Sequence, residues 1–327
     1  MANVAAVDLD ADNIADYLYA TDLFGNVWRI DVTGSSASSW TVSTYGGSSA
    51  QPLYSAKDPY GAAQPVTTGA VVSVVQQASG ADRVVVTFAT GKMLESSDAA
   101  PGSQIQTVYG IWDWDMAAWN ARNSAQYASL SGSQGLLARG NLQQQTIGGP
   151  YTESGAAYAG VGTGYRTLSS NPVCWKGGSG VGGCTTYDKY GWYVDLTDGA
   201  NRPGEEVIYN PAFTLGAIQV NTTIPSIDSG LTCTAPLPGG WTMAFDPGTG
   251  GAFKDSFYAN SQKQFVTING AVVMGIALSA TGSPTVITDN GRVYDILQGS
   301  GGNPPNPQLI NPPGGSTGGR LTWIQLR

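Results

Sequence analysis

The chain contains no histidine, and charged residues occupy only 12% of its 327 positions. The first absence removes a Ser-His-Asp triad and any histidine-ligated catalytic metal. Lys and Arg number 15 and are scattered, against 23 Asp and Glu, for a formal net charge of −8. Nucleic-acid binding needs clustered cations, so nucleic acid is not an expected partner. No apolar run approaches the ~18 residues of a membrane helix, so no membrane insertion is expected. The opening MANVAAVDLD lacks the basic and apolar regions of a signal peptide and starts directly on a strand-like pattern. That start suggests an excised domain.

Cysteine is scarce: Cys174, Cys184 and Cys233, with no CxxC spacing. Zinc is therefore not expected. The Gly-rich stretch CWKGGSGVGGC is bounded by the first two, and a Cys174–Cys184 disulfide would limit the freedom of that loop. Pairing of Cys184 with Cys233, or three reduced thiols, are the alternatives.

What is abundant is glycine, 45 residues, with Val, Thr, Tyr and Trp in short runs bounded by Gly, Pro, Asn and Asp. This is an all-β texture. One shape recurs: a short apolar strand, a polar turn, then a strand ending near an aromatic residue and an Asp. YLYATDLFGNVWRIDV (Tyr17–Val32) is the clearest case. VVVTFATGK (Val84–Lys92), TVYGIWDWD (Thr107–Asp115), YGWYVDL (Tyr190–Leu196), GWTMAFDPGTGG (Gly240–Gly251), PTVITDNGRVYDIL (Pro284–Leu297) and RLTWIQL (Arg320–Leu326) are looser members. The Asn-Gly of ITDNGRV marks a hairpin. Such spacing predicts a β-propeller-like fold, modified or partial, in one domain over residues 1–327. Loop insertions, partly Gly-rich, are expected at Met116–Tyr127, a candidate short helix, and at Gly148–Gly183 and Gly299–Gly319. Two β-sandwiches are the alternative architecture.

The densest charge lies in DLDADNIAD, with carboxylates at Asp8, Asp10, Asp12 and Asp16. Positions 1, 3, 5 and 9 of such a run match a Ca²⁺ loop, because Ca²⁺ takes six to eight oxygen ligands at 2.3–2.6 Å. Ile14, at position seven, would offer its backbone carbonyl while its side chain packs inward. Asn13 replaces the usual turn glycine and is well suited to left-handed backbone geometry. A solvated acidic turn is the simpler alternative.

VDLDADNIADYLYATDLFGNVWRIDV resembles the C-terminal propeller of the type IV pilus tip-associated biogenesis factor and adhesin family. There a DxDxDGxxD loop runs into a strand of the form YxGDLxGNLWRFDL. AQPVTTGAV (ending at Val71), VTFATGKMLESSD (Val86–Asp98), QTVYGIWDWD (Gln106–Asp115), YGWYVDL, GEEVIYNP (Gly204–Pro211), TTIPS (Thr222–Ser226) and PGGWTMAFDPGTGG (Pro238–Gly251) follow in the family's order. The resemblance implies Ca²⁺ as cofactor, with Asp8, Asp10, Asp12, Ile14 (backbone) and Asp16 as ligands. It implies a bacterial extracellular protein at the pilus tip, passing through the periplasm and cell surface. Its role would be to support pilus assembly, oppose retraction and engage surfaces or host cells. Minor pilins or other tip components would be its partners. Asn13 departs from the family's commonest glycine, the family's N-terminal region is missing, and no RGD tripeptide is present.

Rival functions are a generic Ca²⁺-stabilised extracellular interaction propeller, a carboxylate glycosidase and a quinoprotein-like dehydrogenase. For a glycosidase, Asp113 with Asp115 or Glu205 with Glu206 would have to face across a cleft; strand-end carboxylates are the simpler reading. The quinoprotein reading lacks vicinal cysteines and dense Trp repeats. An enzyme is therefore not expected. Nine Trp and sixteen Tyr mostly suit β-cores. Tyr151, Tyr158 and Tyr165 fall in the Gly-rich insertion and are the first place to look for surface contacts.

Overall fold

A computed structural model of the chain describes residues 2–77, 80–99, 104–160, 163–197, 204–225, 239–297, 306–314 and 318–320. In chain order the strands are β1 (Asn3–Val7), β2 (Tyr17–Thr21), β3 (Asn26–Asp31), β4 (Thr41–Val42), β5 (Tyr54–Ser55), β6 (Val71–Val75), β7 (Arg83–Ala89) and β8 (Thr107–Trp112). Next come β9 (Gln143–Gln145), β10 (Ile147–Tyr151), β11 (Tyr165–Leu168), β12 (Gly191–Asp195), β13 (Ala212–Thr214), β14 (Ala217–Asn221) and β15 (Gly240–Phe245). The last are β16 (Thr267–Ile268), β17 (Ala271–Leu278), β18 (Val286–Asp289), β19 (Arg292–Leu297), β20 (Asn306–Ile310) and β21 (Gly318–Arg320).

Among the described residues these form four sheets. The first is the meander β1-β2-β3-β4, with β5 also on β3; the second runs β21-β6-β7-β8-β12-β9. The third runs β10-β11-β17-β15-β14-β13, and β18-β19-β20 is a separate three-stranded sheet. The fold is all-β and β-propeller-like, its sheets built mainly from antiparallel neighbours.

Central strands β7 and β8 are buried along their whole length. Their apolar runs are covered on both faces, which is why they show no alternation. Gly110 on β8 faces Trp192 on β12, and any side chain there would collide with the indole ring. Trp192 stacks on Phe245 of the third sheet and donates its indole N–H to the Pro247 carbonyl at 3.0 Å. One continuous apolar cluster runs from Val7 to Ile310.

Two expected insertions are partly sheet. Within Gly148–Gly183, β11 is fully buried and pairs with β17, because its side chains meet the third sheet's core. Tyr165 is core, and Tyr158 packs edge-on to Trp241 at 6.0 Å, so these tyrosines are not a free surface array. Within Gly299–Gly319, β20 pairs with β19 and β21 with β6, so the segment is not simply an exposed loop. Met116–Tyr127 contains one helical turn, Ala117–Asn120, with Trp119 buried. Asn290 and Gly291 both have positive φ, 47° and 74°, as a type I′ hairpin between β18 and β19 requires. Cys174 and Cys184 are joined by a disulfide, with Cα atoms 5.6 Å apart. Cys233 and the segment Leu321–Arg327 lie outside the described residues.

Candidate metal centre

β1 and β2 are an antiparallel pair in which Val7 faces Tyr17. The acidic run is therefore the loop of a hairpin. The Asp16 N–H donates to the Val7 carbonyl at 2.8 Å, so the ladder itself places Asp8 and Asp16 side by side. Ala11 and Asn13 take left-handed backbone angles, φ 61° and 71°, and turn the loop back on itself. Asn suits that geometry better than most residues; Ala has no such tendency.

Asp8, Asp10 and Asp16 each bring a carboxylate oxygen within 4.8 Å of the others. That spread suits ligands placed 2.3–2.6 Å from a common ion. Asp8 accepts N–H bonds from Asn13 at 2.9 Å and Asp12 at 3.3 Å. Asp16 Oδ2 accepts the Leu9 N–H at 2.7 Å. Asp12, in the same loop, accepts the Ile14 N–H at 2.7 Å. Among the described residues no Lys or Arg forms an ion pair with any of the four. Burial raises the Asp16 pKa to about 6, and the charges of Asp10, Asp8 and Asp12 add to the shift against the Leu9 hydrogen bond. The donor set is oxygen only, anionic and without a neutralising side chain, so it fits a hard divalent ion such as Ca²⁺.

The inward packing expected of Ile14 is not what the structure shows: its side chain is 64% exposed. Leu9, at 2% exposure, is the loop's apolar anchor. The reason is register. Leu9 continues β1 by two positions and keeps its Val7 face turned inward, whereas Ile14 follows the left-handed Asn13 at the outer bend. The sequence signal for Leu9 was one large apolar residue between Asp8 and Asp10. Tyr127, whose hydroxyl donates to the Leu9 carbonyl at 2.6 Å, had no local signal.

Beside the loop lies an open groove of about 720 Å³. Asp10, Asp12, Ile14, Trp40, Arg122 and Asn123 are among the residues that line it.

Three of the other four candidate carboxylates, Asp113, Asp115 and Glu205, are counter-ions. Arg29 on β3 reaches both Asp113 oxygens at 2.8 Å and Asp115 Oδ2 at 3.3 Å. Tyr19 also donates its hydroxyl to Asp113. The guanidinium lies 4.8 Å from both the Tyr17 and Tyr45 ring centres. Glu205 is paired bidentately with Arg166 at 2.7 and 2.8 Å. Glu206 is different: its carboxylate accepts the Lys92 backbone N–H at 2.9 Å, forms no ion pair among the described residues, and burial pushes its pKa up to about 7.

Residues 1–154 match the family described as the PilY1 beta-propeller domain. The Type IV pilus biogenesis factor PilY1 of Pseudomonas aeruginosa strain PAO1 is 34% identical over 261 residues, covering 75% of this chain and 20% of that protein. The PilY1 of strain UCBPP-PA14 is 27% identical over 347 residues, covering 97% of this chain and 27% of the relative. A PilY1 homolog of Xylella fastidiosa is 27% identical over 256 residues, covering 77% of this chain and 14% of the relative. The chain thus spans well under a third of the length of these relatives. The crystal structure of the Pseudomonas aeruginosa PilY1 C-terminal domain superposes with a TM-score of 0.70 at 29% identity, covering 94% of this chain and 60% of that one.

Proposed function

This chain is a PilY1-like C-terminal domain, and from that premise we propose that it is a calcium-binding part of a type IV pilus biogenesis factor. The observation that carries the calcium reading is the hairpin loop that converges Asp8, Asp10 and Asp16 within 4.8 Å, with no cationic side chain among the described residues paired to them. When bound, the ion supplies the positive charge these carboxylates lack. Asp8 and Asp16 hold it at the root of the hairpin, where the ladder fixes their backbone. Asp10 closes the site from the exposed bend, and Asp12 and the Ile14 carbonyl are the nearest further oxygens in the loop sequence. Without the ion the carboxylates repel one another, and the bend loosens from β1 and β2.

In this reading the domain acts outside the cell, at the pilus tip. The ordered loop and the groove beside it present a surface to minor pilins or other tip components. Ion occupancy then favours pilus extension over retraction and supports surface adhesion.

Calorimetric Ca²⁺ titration of chelator-stripped protein tests the site. One site, abolished by Asp16→Ala, is expected; absence of heat and of any thermal shift would leave the loop a solvated turn. The biological role is tested by placing Asp16→Ala in the full-length protein in a retraction-competent strain, where a loss of surface pili is expected. Loss of calcium binding with normal piliation would instead support the second reading, a calcium-stabilised interaction domain whose ion is only a structural staple.

A further inference from the structure

Tyr127 lies 118 residues beyond Leu9, yet its buried hydroxyl donates to the Leu9 carbonyl at 2.6 Å. The N–H of the same Leu9 donates to Asp16 Oδ2 at 2.7 Å. One peptide-linked residue, 2% exposed, therefore carries both bonds, and it cannot shift without disturbing each. Tyr127 is in turn locked to the helical turn Ala117–Asn120. Its N–H donates to Asn120 Oδ1 at 2.9 Å, and its carbonyl accepts the Asn120 amide at 2.7 Å. The same turn touches the other end of the loop, where Trp119 packs edge-on to Tyr17 at 6.0 Å. Burial first, and then the charges of Asp82, Asp10, Asp16 and Asp8, push the Tyr127 phenol up to about 12, so it stays a donor at neutral pH. Arg122 and Asn123, between the turn and Tyr127, line the same groove as Asp10 and Asp12.

We propose that Tyr127 is a positioning residue for the metal loop, holding Leu9 so that its N–H orients Asp16, and that it couples ion occupancy to the 116–127 segment. The inference rests on the calcium reading above. Groups that orient metal ligands through hydrogen bonds change affinity by about 10–100-fold when removed. Here the orienting path runs from a different sheet, so the ion would tie the first sheet to an excursion of the second. The groove between them would then take its bound shape only when the loop is loaded.

Calcium titration of the 327-residue chain as wild type, Tyr127→Phe and Tyr109→Phe tests this. Tyr109 is a matched control: a buried tyrosine donating to Gln64 Oε1 at 2.6 Å, remote from the loop in its hydrogen bonding. Tyr127→Phe should weaken calcium binding by about tenfold, while Tyr109→Phe should lower thermal stability and leave the affinity within about twofold. Equal affinity in wild type and Tyr127→Phe overturns the positioning role. Failure of the wild type itself to bind calcium overturns the calcium reading, and this inference with it. Hydrogen exchange on the wild type needs no variant to fold. Calcium should slow amides in both 8–16 and 117–127; protection confined to 8–16 overturns the coupling.

Discussion

Asp113 and Asp115 flank Trp114 after β8, and Asp8, Asp10 and Asp16 lie in the hairpin loop between β1 and β2. Both sets crowd carboxylates within a few residues, and the protein treats them in opposite ways. Asp113 is wholly buried and receives Arg29 and the Tyr19 hydroxyl, and the Tyr17 and Tyr45 rings flank the guanidinium. Burial alone would lower the Arg29 pKa, but Asp113 holds it well above the usual value. That cluster is complete within the chain. The hairpin cluster has backbone N–H donors for Asp8 and Asp16 but, among the described residues, no cationic partner, and carboxylate oxygens of Asp8, Asp10 and Asp16 converge. A buried charge is costly unless paired, so the contrast separates an internal staple from the cluster for which calcium is proposed.

Breaking the complete cluster should have the largest effect. Arg29→Met leaves Asp113 buried and unpaired and should cost about 3–5 kcal/mol in denaturant unfolding. Adding Asp113→Leu should recover much of that loss; no recovery would mean that Arg29 acts mainly through its ring contacts. Next in size is the ion itself. Calcium at about 100 times its Kd should stabilise the wild type by about 2.7 kcal/mol. Asp16→Ala should lose that shift entirely in thermal melts, whereas Asp113→Asn, though destabilised, should keep it.

A neighbouring pair sharpens the contrast through pH. Glu205 has Arg166, while Glu206 has no such ion pair among the described residues and its pKa is pushed by burial to about 7. The folded chain thus binds a proton at Glu206 more tightly than the unfolded chain does. Its contribution is fully present below the unfolded pKa, near 4.3, and is lost as pH rises through about 7. Stability should fall across that interval, and Glu206→Gln should flatten the decline. The smallest effect is expected from exposed Asp10. Without calcium, Asp10→Asn should change stability by no more than ~1 kcal/mol, in the favourable direction, because it removes like-charge repulsion. With calcium present it should lower the melting temperature relative to wild type, through weaker ion binding.

Much of this was legible along the chain. The strand pairs Tyr17–Val32 and Pro284–Leu297 appear as β2-β3 and β18-β19, since turn residues and alternation are local properties. Asn13 adopts the left-handed geometry its residue type suggested. The inward residue of the acidic loop was not legible: side-chain type favoured Ile14, but the direction of the bend selected Leu9. Nor was the order of the third sheet, where β11 comes before β13 in the chain but joins by pairing with β17. Local patterning carries the existence of a strand, not its distant neighbour.

The amino-acid sequence by itself determined an all-β chain, a run of aspartates at ion-loop spacing, and the impossibility of histidine chemistry. These follow from residue identity and short-range backbone preference. Only the tertiary structure decided which aspartates are neutralised. Arg29 meets Asp113 across 84 residues, and Tyr127 meets Leu9 across 118. Charge pairing and desolvation depend on distance in space, and the chain sets that distance only after its sheets have packed.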